Sequence, residues 1–75
     1  MRDDEFIAVI PKNAREEIRV KLHRFHGRPL VDVRTYAPYH STGKMGQTLE
    51  GISLGTQRLS ELRVALEKAE ALLRS

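Results

Sequence analysis

The chain has 75 residues, no cysteine or tryptophan, and a formal net charge of +3. That length allows one domain with a small core; without cysteine there are no disulfide staples or thiolate metal sites, so oligomerisation is the remaining support and a homodimer is expected. No apolar run approaches the roughly 20 residues of a membrane span, and the start MRDDEF lacks the basic-then-apolar order of a signal peptide, so a cytoplasmic protein with no membrane partner is expected.

Residues 1–5 are polar and expected to fray. Residues 6–10, FIAVI, are a short run rich in β-formers, stopped by Pro11, and read as a strand. Pro11-Lys12-Asn13 is a turn. Residues 17–36 read as a β-hairpin. Ile18, Val20 and Leu22 alternate with Glu17, Arg19, Lys21 and His23, which is the period of a half-buried strand. A helix over residues 13–24 would scatter Ile18, Val20 and Leu22 around its circumference and is rejected. The turn is Phe25-His26-Gly27-Arg28-Pro29, where Gly27 permits a positive φ and Pro29 is tolerated at a strand's start. The second strand sets Val31, Val33 and Thr35 against Leu30, Asp32, Arg34 and Tyr36. One face of the hairpin is therefore apolar, and the other is cationic and edged with rings.

Residues 37–44, APYHSTGK, form a loop. Residues 45–54 read as a fourth strand, in which Gly46 and Gly51 predict a bulge, a bend or a close backbone approach. Gly55-Thr56 opens a helix that runs to about Arg74, with Thr56 as its N-cap and Glu61 near the positive end of its dipole. Leu59, Leu62, Leu66, Ala69 and Leu73 recur at helical spacing as one apolar stripe, widened by Val64, Ala65 and Leu72. That stripe is broad enough to cover part of a sheet and meet a second helix across a dimer interface. The predicted fold is α+β: a curved four-stranded antiparallel sheet followed by one C-terminal helix, β-β-β-β-α, in a single domain. The helix covers part of one sheet face and leaves the other for a ligand.

Between residues 12 and 36 there are seven basic residues (Lys12, Arg15, Arg19, Lys21, Arg24, Arg28, Arg34) and three acidic ones (Glu16, Glu17, Asp32), an excess of +4. Nine of the thirteen cations are arginine, the residue better matched to phosphates and bases. A cationic face with rings suits a single-stranded nucleic acid: an unpaired base stacks on a ring, at about 1–3 kcal/mol, while a cation holds its phosphate. The rings are Phe6, Phe25, Tyr36 and Tyr39. Phe25 reads either as a stacking ring or as a core residue closing the hairpin. Tyr36 reads either as a stacking ring or as a cross-strand packing partner, and Phe6 reads as core. Asp32 reads as a structural ion-pair partner of Arg34, Arg19 or Lys21. His23 and His26 stand three apart with no evident third ligand, so no metal or cofactor is expected. Gly43-Lys44 lacks the rest of a phosphate loop, and no nucleophile–base pair is visible, so no enzymatic activity is expected.

PKNAREEIRVKLHRFHGRPLVDVRTYA, the later EGISL and the helix after it resemble the transcriptional positive-cofactor family, which includes the eukaryotic coactivator p15 and small bacterial relatives. The resemblance spans about residues 6–73. Its most specific parts are Phe-x-Gly-x-x-Leu-Val-Asp-Val-Arg-x-Tyr at residues 25–36 and Gly51-Ile52-Ser53-Leu54 before the helix. It implies a β-β-β-β-α homodimer whose helices meet, with sheet surfaces that bind single-stranded DNA through Phe25, His26, Arg28 and Arg34. His26 stands where relatives carry a lysine, which makes that charge pH-dependent. Ala37 stands where eukaryotic members carry a tryptophan, with Tyr39 as the substitute ring. Leu49-Glu50 stands where members tend to be basic, so weaker binding is expected, unless Glu50 points away or pairs with a cation such as Lys44. The expected site is thus Arg19, Lys21, Phe25, His26, Arg28, Arg34, Tyr36, Tyr39 and Lys44. Leu59, Leu62, Leu66, Ala69 and Leu73 form the expected dimer interface. The expected partners are single-stranded DNA, a second copy and the transcription machinery; RNA binding or a protein-assembly role in transcription is the alternative.

Overall fold

A computed structural model of the protein describes residues 4–75. The alternation in residues 17–36 becomes the central hairpin, β2 (Glu17–Phe25) and β3 (Arg28–Pro38). Its turn is only His26-Gly27, with φ of 51° and 75°, tighter than the five residues expected. Two successive left-handed residues give the hairpin turn whose twist matches its strands, and Gly27 takes its position without a Cβ penalty. The Arg24 side chain donates to the Gly27 carbonyl oxygen at 2.9 Å and fastens the turn.

On the outer sides lie β1 (Asp4–Pro11) and β4 (Met45–Gly55), so the sheet is an antiparallel meander in chain order. Asp4 and Glu5, expected to fray, belong to β1; the rest of that expectation falls on residues 1–3, outside the described residues. The β1–β2 turn is held by Asn13, whose Oδ1 accepts from the N–H groups of Arg15 and Glu16 at 3.0 and 2.9 Å. A bulge between Phe6 and Ala8 shifts the register of β1 against β2. It reverses the facing of the strand's first half, so Phe6 pairs with Lys21 on the cationic side while Ile10 pairs with Ile18 on the apolar side. Phe6 is therefore not core.

β4 carries a second irregularity opposite Arg34 and Tyr36. Thr48 bridges the interruption, donating from Oγ1 to the Thr35 carbonyl oxygen at 2.9 Å and accepting from the Glu50 N–H at 3.1 Å. Leu49 is extruded with 98% of its surface exposed. At Gly51 the close-approach reading holds: a Cβ there would fall 2.5 Å from the Val33 carbonyl oxygen and 2.7 Å from the Arg34 Cα. The neighbour is β3's own backbone, not a ligand.

Thr56 does not cap the helix. A 3-10 turn, Thr56–Arg58, comes first, and α1 (Leu59–Arg74) begins with Arg58 at the cap position and no side-chain cap bond. Glu61 lies in the first turn of α1 and Arg74 in its last, as its dipole favours. α1 buries none of its residues. The helix was expected to cover part of the sheet; instead an apolar groove of about 740 Å³ lies open between them, walled by Val20, Val33 and Ile52 on one side and Leu59, Leu62 and Leu66 on the other. Among the described residues only Val31 and Tyr36 are buried hydrophobics. Among the described residues no helix is long and apolar enough to cross a membrane.

Candidate nucleic-acid interface

Pairing of β2 with β3 sets Arg19 opposite Arg34, Lys21 opposite Asp32 and Glu17 opposite Tyr36, all on one face. Phe25 and Arg28 end the same row at the hairpin tip. Arg19, Lys21 and Arg34 thus share a surface, the one turned away from Ile18, Val20 and Leu22.

The rings divide into two kinds. Phe25 is 58% exposed and meets the His26 ring edge-on, with centroids 4.2 Å apart. It closes no core. Tyr36 is only 6% exposed: the Arg19 guanidinium lies 4.3 Å above its ring, and Phe6 packs edge-on with centroids 6.2 Å away. The expectation of Tyr36 as a stacking ring is corrected, because arginine already occupies that face; it is a cross-strand packing partner. Tyr39 is exposed, but its ring lies over Gly46, which pairs with Ala37, so it sits on the side of the sheet opposite Tyr36.

The cations also differ. Arg34 is held on all sides: Nη2 donates to Asp32 Oδ1 at 3.1 Å, Nε contacts both carboxylate oxygens at 3.3 Å, and Nη1 donates to the Thr48 carbonyl oxygen at 3.1 Å. Asp32, 5% exposed, accepts also from Ser53 Oγ at 2.6 Å. Burial pushes the Asp32 carboxyl up, but the hydrogen bonds from Ser53 and Arg34 outweigh it, and its pKa lies below the ordinary carboxylate value. This is the structural ion pair read from the sequence.

Arg19 donates through Nε to Glu17 Oε2 at 2.5 Å. Lys21 lies 3.7 Å from Asp4, and Asp4 also meets His23 Nδ1 at 2.5 Å. The His23 hydrogen bond, with Lys21 nearby, lowers the Asp4 pKa. Arg28 and Lys44 are exposed and take part in no ion pair among the described residues. Glu50 pairs with Lys12, not Lys44, and accepts from Thr35 Oγ1 at 2.9 Å; it therefore lies on Thr35's face, away from Arg19 and Arg34. That pairing lowers the Glu50 pKa and raises that of Lys12. Among the described residues no three His, Asp or Glu side chains converge as a metal site would need. Sequence reasoning left Phe6 and Glu17 out of the cationic site, although Glu17 has a legible signal, an acid two residues before Arg19 on one strand face.

A family model for the transcriptional coactivator p15 (PC4) matches residues 12–65, from the β1–β2 turn into α1. The chain belongs to the PC4 family. A PC4 homologue from Burkholderia pseudomallei, solved in a tetragonal crystal form, is 30% identical with a TM-score of 0.81, over 89% of this chain and 97% of that one. Its orthorhombic form gives 28% identity and a TM-score of 0.80, over 93% of each chain. A bacteriophage T5 homologue of PC4, described as implicated in recombination-dependent DNA replication, is 16% identical with a TM-score of 0.68, over 97% of this chain and 81% of that one, and shares the fold. No curated protein sequence matches. The PC4 match contains both arginine-bearing strands, the hairpin tip and β4.

Proposed function

We propose that this PC4-family protein is a homodimer that binds single-stranded DNA with little sequence preference, in transcription. The family's known DNA binding supports the ligand class. The observation that carries the reading is the shared face of Arg19, Lys21 and Arg34, with the exposed Phe25 ring and the unpaired Arg28 at its tip. Arginines hold phosphates, and a ring open to solvent stacks on an unpaired base, which a duplex does not offer. Lys44 adds a cation at the margin. The stacking role belongs to Phe25 rather than Tyr36.

The dimer is supported by surface arithmetic. A folded monomer of 8.6 kDa exposes about 4,700 Å². This protomer exposes 6053 Å², a surplus of roughly 1,350 Å² that suits one side of a homodimer interface. The open groove and the stripe of Leu59, Leu62, Leu66, Ala69 and Leu73 are where a second copy fits.

Anisotropy of labelled oligonucleotides across a salt series tests the reading. Binding to single-stranded DNA is expected, with log K falling linearly against log salt at about −0.7 per phosphate neutralised. Equal affinity for duplex overturns stacking, tighter binding to RNA reassigns the ligand, and no binding at low salt overturns the whole.

A further inference from the structure

Glu17-x-Arg19 and Asp32-x-Arg34 are the same pattern on neighbouring strands, an acid two residues before an arginine on one face, and the two arginines stand directly opposite each other. Like charges in that position repel, so the pair is a place prepared for an anion. The two acids are built differently. Asp32 is buried, fixed by Ser53 as well as Arg34, and its arginine has all three nitrogens engaged. Glu17 keeps about a quarter of its side chain exposed and, among the described residues, is bonded only to Arg19 Nε. The terminal nitrogens of Arg19 make no hydrogen bond among the described residues, while its guanidinium carbon sits over the Tyr36 ring.

We infer that Glu17 is a brake on nucleic-acid binding: it is an intramolecular anion that competes with an incoming phosphate for Arg19. Asp32, by contrast, is a fixed mount that positions Arg34. This rests on the proposed single-strand binding. A phosphate arriving between the two guanidiniums finds Arg34 already aimed and Arg19 shared with a carboxylate. It must displace that carboxylate or bind beside it against its charge. Removing Glu17's charge frees an arginine whose guanidinium carbon already lies 4.3 Å from the Tyr36 ring centre, so the released group needs little ordering to hold the phosphate.

The same amide substitution at the two acids is expected to act in opposite directions. Glu17→Gln should tighten single-stranded DNA binding about two- to fivefold, the range of a partly exposed ion pair, and steepen the salt slope by about 0.7. Asp32→Asn should weaken binding and lower the melting temperature. Glu16→Gln removes the same charge one residue away, where the carboxylate accepts from Asn13 Nδ2 at 2.7 Å and acts on Lys12 rather than Arg19, and should give a smaller gain. In an Arg19→Ala background the gain from Glu17→Gln should shrink to that of Glu16→Gln. If the wild type binds and Glu17→Gln binds no tighter, or gains as much without Arg19, the brake is overturned and the binding function stands. A wild type that binds no oligonucleotide at low salt overturns both.

Discussion

Phe25 ends β2 with 58% of its surface exposed and its ring nearly perpendicular to that of His26, and in the proposed function it is the aromatic surface offered to an unpaired base at the hairpin tip. Phe25→Ala is expected to leave the fold intact and weaken single-strand affinity by about 1–3 kcal/mol, measured by anisotropy. Asp32 gives a pH signature. Its folded pKa is depressed, so its contribution to stability is complete above the ordinary carboxylate value near pH 4 and is lost as the pH falls through the lower folded value. Melting temperature against pH should therefore fall more gently on the acid side in Asp32→Asn than in the wild type, from a lower neutral-pH value. Asp32's pairing was legible in the sequence because Arg34 stands two residues along on the same strand face. The fate of Tyr36 was not: alternation placed it beside cations, but which ring an arginine lies across is decided by strand register, and local sequence leaves that open.

Strand existence, order and the helix followed from period and turn chemistry; the interruptions within strands did not. The β1 bulge is one extra residue in an apolar run, and nothing in FIAVI marks which residue is extra, so Phe6 was assigned to the core. In β4 the glycines did mark trouble, and the structure specifies it: Gly51 lets β4 lie against the Val33–Arg34 backbone beside the extruded Leu49. Gly51→Ala is expected to cost about 1–3 kcal/mol in urea unfolding, because the obstructing atoms are backbone and cannot rotate away. As β4 also supplies the Thr48 carbonyl oxygen to Arg34, that variant should loosen the guanidinium too. The helix shows the reverse case. Its stripe was plain from leucine spacing, whereas the gap beneath it was not, since amphipathicity identifies the face that wants cover and not what covers it.

The protomer measures 43 × 36 × 18 Å with a radius of gyration of 14.2 Å, against about 11 Å for a compact chain of this length. It is thin and spread because α1 does not close over the apolar side of the sheet. Leu66→Asp places a charge in the groove wall and is expected to yield monomer or unfolded chain in sedimentation analysis; a folded dimer from that variant overturns the proposed interface. The open groove carries one more consequence. In the proposed homodimer, a subunit that leaves its greasy side wet would have little reason to hold its shape in solitude, so association and folding would become a single equilibrium, and dilution alone would act as a denaturant. Thermal melts recorded across a hundredfold range of protein concentration should drift steadily downward as the sample thins, and a midpoint indifferent to concentration would mean the lone chain is self-sufficient.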